Sequence, residues 1–196
     1  MLHRLMLVIA AVLLTPTLAL AKPQTLQTAV FAGGCFWCME HDMAGIPGVV
    51  KVESGYTGGE LANPSYEAVL TETTGHYEAV RVTFDASRIT YGALLWRYWK
   101  LVDPTDDGGQ FCDRGPSYRT AIFVDGPVQR AAAEASRTFA AGKLKQGKLV
   151  TPVLDLGAFW PAEAYHRDYA RRNPAHYAIY RAGCGRDRIL KQVWGG

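Results

Sequence analysis

A chain that reads Ala29-Val30-Phe31-Ala32-Gly33-Gly34-Cys35-Phe36-Trp37-Cys38-Met39-Glu40 passes from a β-prone run, through two glycines, to a thiol at the start of a helix. That junction limits the fold more than any other segment. A helix start leaves backbone N–H groups without partners and carries the positive end of the helix dipole. Both favour a thiolate, the reactive form of cysteine. Two aromatic rings follow, so the sulfur is expected to open into an apolar pocket. A lone cysteine on a Gly-Gly turn is ordinarily a small buried filler. The flanking glycines, the aromatic pair and the second thiol at Cys38 shift the reading toward chemistry.

Residues 1–21 read as a secretory signal. His3 and Arg4 form a short positive region, Leu5–Leu14 is apolar, and Ala19-Leu20-Ala21 places small residues before a cut after Ala21. The apolar run is shorter than the ~18 residues of a spanning helix. Residues 22–196 then form one catalytic domain, secreted or periplasmic, with no stable membrane insertion after cleavage. The formal charge of the 196-residue chain is +3, too small an excess to argue for nucleic acid. The C-terminal arginines alternate with acids and aromatics and read as a solvated face. Four cysteines are too few for a disulfide scaffold in a chain able to build its own core.

Hydrophobic periodicity predicts strands at Ala29–Phe31, Val49–Glu53, Glu78–Phe84, Arg119–Val124 and Val150–Leu156. Helices are expected after Cys35 and at Tyr66–Leu70, Thr90–Leu101, Pro127–Ala141 and Pro161–Arg171. Residues 55–64 and 103–116 read as loops, and the tail after Arg171 as irregular. This order suggests an α+β fold: a mixed sheet with helices packed on one face, close to a ferredoxin-like (split β-α-β) core.

Three loop motifs add polar groups. Asn63-Pro64-Ser65-Tyr66 and Asp113-Arg114-Gly115-Pro116-Ser117-Tyr118 each deliver a phenol, the second also a carboxylate, and Gly75-His76-Tyr77-Glu78 delivers a carboxyl at a strand start. Alone, each would be an ordinary surface turn. Glu40 and His76 read as structural, Met39 and Met43 as core filler, and Trp96 and Trp99 as core residues of their helix.

Together, Gly33-Gly34-Cys35-Phe36-Trp37 with Glu40, Ser54-Gly55-Tyr56-Thr57-Gly58-Gly59, Asn63-Pro64-Ser65-Tyr66-Glu67, Thr74-Gly75-His76 with Glu78, Asp113 with Tyr118-Arg119, and Pro161-Ala162-Glu163 with Tyr165-His166 resemble the peptide methionine sulfoxide reductase A family from about Val30 onward. The resemblance implies a nucleophile at Cys35, an acid at Glu78 kept protonated by burial, and phenols at Tyr66 and Tyr118 that orient the sulfoxide oxygen. It implies Phe36 and Trp37 as walls for the ε-methyl group and Asp113 as a substrate anchor. The expected substrates are oxidised peptides and proteins carrying the S epimer of methionine sulfoxide. The expected reductant is a thioredoxin-like dithiol protein, and no metal or organic cofactor is implied.

The resolving thiol stays open among Cys184, Cys38 and Cys112. Cys184, flanked by Gly183 and Gly185, resembles the resolving site of many family members and is favoured. Two other classes fit parts of the chain. A thiol-disulfide oxidoreductase would use Cys35-Phe36-Trp37-Cys38 with Thr151-Pro152. A zinc module would need a second thiol pair, and Cys112 and Cys184 stand alone in sequence.

Overall fold

A computed structural model describes residues 24–145 and 147–195. The expected signal segment lies outside them. Strands are β1 (Leu26–Gly33), β2 (Val49–Thr57), β3 (Tyr77–Asp85), β4 (Gly109–Gln110), β5 (Asp113–Arg114), β6 (Thr120–Val124), β7 (Val153–Asp155) and β8 (Trp160–Pro161). Helices are α1 (Phe36–Ala44), α2 (Tyr66–Leu70), α3 (Tyr91–Trp99), α4 (Gly126–Ala141), α5 (Tyr169–Arg172), α6 (Pro174–Gly183) and α7 (Arg186–Trp194).

The main sheet runs β7-β6-β1-β3-β2-β8. All neighbours are antiparallel except β6 and β7. Its centre, β6-β1-β3-β2 with α1 and α3 as the crossovers, is the split β-α-β core expected from the order of elements. Phe31, Val80 and Ile122 share a row across three strands. They face Met39 and Met43 of α1, Leu94, Leu95, Tyr98 and Trp99 of α3, and Ala133 and Ala140 of α4 in one buried cluster. The opposite face carries Val30, Ala32, Ala79, Ala121 and Phe123, covered by Leu154, Leu156 and Phe159 from the β7 to β8 region instead of by a helix. Deleting a side chain such as Phe31 would cost about 3–5 kcal/mol by cavity formation. Both sheet edges are short, with three residues in β7 and two in β8.

Three expectations change. Residues 103–116 hold the β4–β5 hairpin, built around Gln110, whose buried amide bonds Asp103 O and Gly109 O at 2.8 Å each. Pro161–Arg171 is not a helix: β8 ends at Pro161, turns follow, and only Tyr169–Arg172 coils. Long-range bonds hold this segment, including Asp168 N–H to Glu40 at 2.9 Å and the Arg172 guanidinium to the Ala164 and Tyr165 carbonyls. The tail is not irregular but forms α6 and α7, joined at Cys184 and Gly185. Arg186 departs most from a solvated face: it is 1% exposed, bonds Leu101 O at 2.6 Å and lies over the Phe111 ring. Arg181 is also mostly covered, paired with Asp42 and Asp187.

Candidate active site

Both glycines before Cys35 are sterically required. A Cβ on Gly33 would sit 2.6 Å from Met39 Sδ. Gly34 has φ +79° and a Cβ there would lie 2.6 Å from Gln110 Cβ. Cys35 is the N-cap residue of α1, and its carbonyl accepts the Cys38 and Met39 N–H groups. The strand-to-helix turn therefore fixes where the thiol points.

Glu78 stands on β3 beside the start of this helix. Its Oε2 accepts the Phe36 backbone N–H at 2.9 Å. Burial, 2% exposure in all, pushes its carboxyl up to about 8 despite that bond, and the neighbouring Asp113 adds to the rise. An acid in that range is protonated at neutral pH and able to donate.

Tyr66 begins α2, whose N-cap Ser65 accepts from Ala68 N–H. Glu163 accepts the Tyr66 N–H at 2.8 Å and the Tyr56 hydroxyl at 2.9 Å, so one carboxylate from the β8 turn fixes the helix entry. Tyr118 closes a 3-10 turn over Pro116–Tyr118. Glu72, just past α2, binds this turn through the Ser117 N–H at 2.8 Å and hydroxyl at 2.7 Å. Burial holds both phenols protonated, Tyr66 pushed up to about 12 and Tyr118 higher still.

Cys35, Phe36, Trp37, Tyr66, Glu78, Asp113 and Tyr118 line one cavity of ≈ 220 Å³, together with Tyr180 of α6. Seven of the eight residues expected from sequence thus converge. A larger cavity of ≈ 340 Å³ also touches Trp37 but contains no thiol or phenol. The Trp37 ring stacks on Tyr169 at 3.8 Å between centroids, and its N–H donates to His166 Nδ1 at 3.1 Å. Phe36, by contrast, packs against Tyr56 and His166.

The eighth residue, Cys184, is elsewhere engaged: it is disulfide-bonded to Cys112. Cys35 and Cys38 are the free thiols among the described residues. The neighbouring Cys35 thiol, with Arg186 near, draws Cys38 down to about 7 against its burial. Cys35 goes the other way. Burial and the Cys38 contact raise it well above an ordinary thiol, and Glu78 adds to the rise once it is ionised. The thiolate expected at the helix start is therefore not favoured at Cys35: desolvation outweighs the dipole. Cys112 is exposed.

Tyr180, Arg186 and His166 were not assigned a role from sequence. Pro174 at the first turn of α6, followed by Tyr177, Tyr180 and Arg181 at helical spacing, was the available signal for the first. The rival motifs do not assemble. Pro152 lines a different cavity from Cys35, and the Cys112 and Cys184 sulfurs are bonded to each other.

A family model described as peptide methionine sulfoxide reductase matches residues 27–196. The chain belongs to the peptide methionine sulfoxide reductase family. It is 68% identical over 178 residues to peptide methionine sulfoxide reductase MsrA 2 of Caulobacter vibrioides, spanning 91% of this chain and 90% of that protein. Methionine sulfoxide reductase A of Corynebacterium diphtheriae superposes with TM-score 0.68 at 31% identity, over 79% of this chain and 77% of that one. Saccharomyces cerevisiae Mxr1, in complex with Trx2, shares the fold at 18% identity with TM-score 0.53, over 79% of this chain and 91% of that one. Across the peptide methionine sulfoxide reductase family model, the matched span takes in the whole cavity lining, from Cys35 to Tyr180.

Proposed function

We propose that this chain reduces the S epimer of methionine sulfoxide, in peptides and proteins or free, through Cys35. The observation that carries the reading is a buried, protonated Glu78 in one cavity with a thiol and two phenols. A sulfoxide needs that set: a nucleophile for sulfur, an acid for oxygen and donors that orient the S=O bond. Phe36 and Trp37 supply apolar walls for the methyl group.

In the first step the Cys35 sulfur attacks the sulfoxide sulfur while Glu78 protonates the oxygen. Tyr66 and Tyr118 bond that oxygen. Methionine leaves and Cys35 carries the oxygen as sulfenic acid. Cys38 then attacks Cys35 as thiolate, the oxygen departs as water, and a Cys35–Cys38 disulfide remains. Cys38 is preferred over Cys184 as the resolving thiol because it is free, adjacent and the more acidic of the pair. An external dithiol protein reduces the bond by exchange. The capture of yeast Mxr1 with Trx2 supports a thioredoxin-like donor. The secretory signal read in residues 1–21 supports an exported setting, where the enzyme would repair oxidised proteins.

The test is methionine release from a peptide carrying each sulfoxide epimer. Wild type should consume the S form alone, and Cys35→Ser neither. Turnover by Cys35→Ser, or equal use of both epimers, would overturn the reading.

A further inference from the structure

Trp37 lines two cavities. One holds Cys35. The other, of ≈ 340 Å³, lies between α1 and the start of α5. Its α1 wall is Trp37, Glu40, His41 and Ala44. These recur at i, i+3, i+4 and i+7, so they form one stripe of the helix about 10 Å long. The groove therefore begins at a wall of the catalytic cavity and runs away from it along α1. An extended peptide covers that length in about three residues.

Glu40 lines this groove and is only 8% exposed. The Ser54 hydroxyl and the Asp168 N–H both donate to its Oε2, at 3.1 and 2.9 Å. Among the described residues none donates to Oε1, and no cation forms an ion pair with this carboxyl. Burial raises its pKa, and the two accepted bonds oppose the rise. Asp168, on the facing wall, is already paired: Arg171 Nε donates to its Oδ2 at 2.5 Å. The groove is thus apolar along Trp37, Ala44 and Ala170, with one carboxyl oxygen of Glu40 left over.

We propose that this groove is a second binding site, for the stretch of substrate chain next to the oxidised methionine, and that it takes a lysine or arginine there. The inference rests on reduction of methionine sulfoxide at Cys35. The aliphatic stem lies along Trp37 and Ala44, and the charged end donates to Glu40 Oε1. An acidic neighbour meets Glu40 as a like charge, and a small one leaves the groove unfilled. One oxygen of Glu40 then holds the Asp168 turn while the other reads the substrate. Overall charge would not produce this preference. The chain carries a formal +3, which by itself attracts acidic peptides.

The test compares four substrates: free S-methionine sulfoxide, and pentapeptides with that residue between two lysines, two alanines or two glutamates on each side. Each peptide's kcat/KM is divided by the value for free methionine sulfoxide, so a general loss of activity cancels. In wild type the lysine peptide should exceed the alanine peptide by about 3- to 10-fold, chiefly through KM, and the glutamate peptide should fall below both. Ala44→Trp, which fills the groove from the end of α1, should bring the three ratios within about twofold of one another. Arg171→Ala, which leaves Asp168 unpaired on the facing wall, should widen the gap between lysine and glutamate severalfold. Equal ratios in wild type, or glutamate ahead of lysine, would overturn the site. So would a ranking that neither variant changes. Should Ala44→Trp not fold, Arg171→Ala reads the same groove from its other wall. A protein that reduces none of the four substrates would overturn the sulfoxide reading and this inference with it, whereas turnover without the ranking overturns this inference alone.

Discussion

Glu78 Oε2 and the Phe36 backbone N–H are 2.9 Å apart, so the buried acid is tied to the first turn of the helix that Cys35 caps. The proton donor and the attacking sulfur of the proposed reaction are thus held by one turn of backbone. Motion of one relative to the other is restricted before substrate arrives.

Glu78→Gln should slow methionine release in a single turnover by ~10²- to 10⁴-fold. In wild type the same rate should fall as pH rises through about 8, where the acid ionises. An unchanged pH limb in the glutamine variant would assign the acid to another group.

The same residue has a cost in stability. Burial raises its folded pKa from an ordinary carboxyl value of 4.5 to about 8. For an acid shifted upward, the contribution is complete below the unfolded value and lost as pH rises to the folded one. Wild type should therefore weaken between about pH 4.5 and pH 8 by a few kcal/mol from this group. Glu78→Gln should melt higher than wild type at pH 9 and near it at pH 5, as thermal unfolding at the two values would reveal.

Cys38→Ser should release one methionine per enzyme and stop, leaving Cys35 oxidised. Cys184→Ser and Cys112→Ser should continue to recycle with a thioredoxin-like donor. Steady turnover by Cys38→Ser would return the resolving role to Cys184.

Glu163 touches no substrate in this scheme, yet it holds Tyr66 and Tyr56. Glu163→Ala should lower kcat/KM by ~10- to 100-fold, the loss expected when buried donors are left unpaired at about 1–3 kcal/mol. A wild-type value would show that Ser65 alone positions α2.

Gly34→Ala should destabilise the fold by roughly 1–3 kcal/mol, because a left-handed backbone and the Gln110 side chain both resist a methyl group. The midpoint of urea unfolding measures it.

Local signals account for what was legible before the fold was seen. The alternation at Glu78–Phe84, the Ser65 cap before Tyr66 and the Gly-Gly-Cys turn depend on neighbours in sequence, and each element lies within a few residues of its expected place. Pro161–Arg171 was misread because Glu40 and Arg172 satisfy its backbone from a distance. Glycines 183 and 185 suggested a loose tail, whereas Gly183 is the last residue of α6 and Gly185 is the N-cap of α7. The Cys112–Cys184 bond spans 72 residues and had no local trace. The raised pKa of the Cys35 thiol likewise depends on burial, in a cavity that Tyr180 of α6 helps to line.

The brevity of β7 and β8 bears on the company this molecule would keep. Oxidised, part-opened polypeptides expose bare amides that seek a ladder to join. Two- and three-residue borders, one ending in Pro161, offer such clients almost nothing to zip onto. In the proposed repair role, such borders would leave damaged chains little edge to pair with.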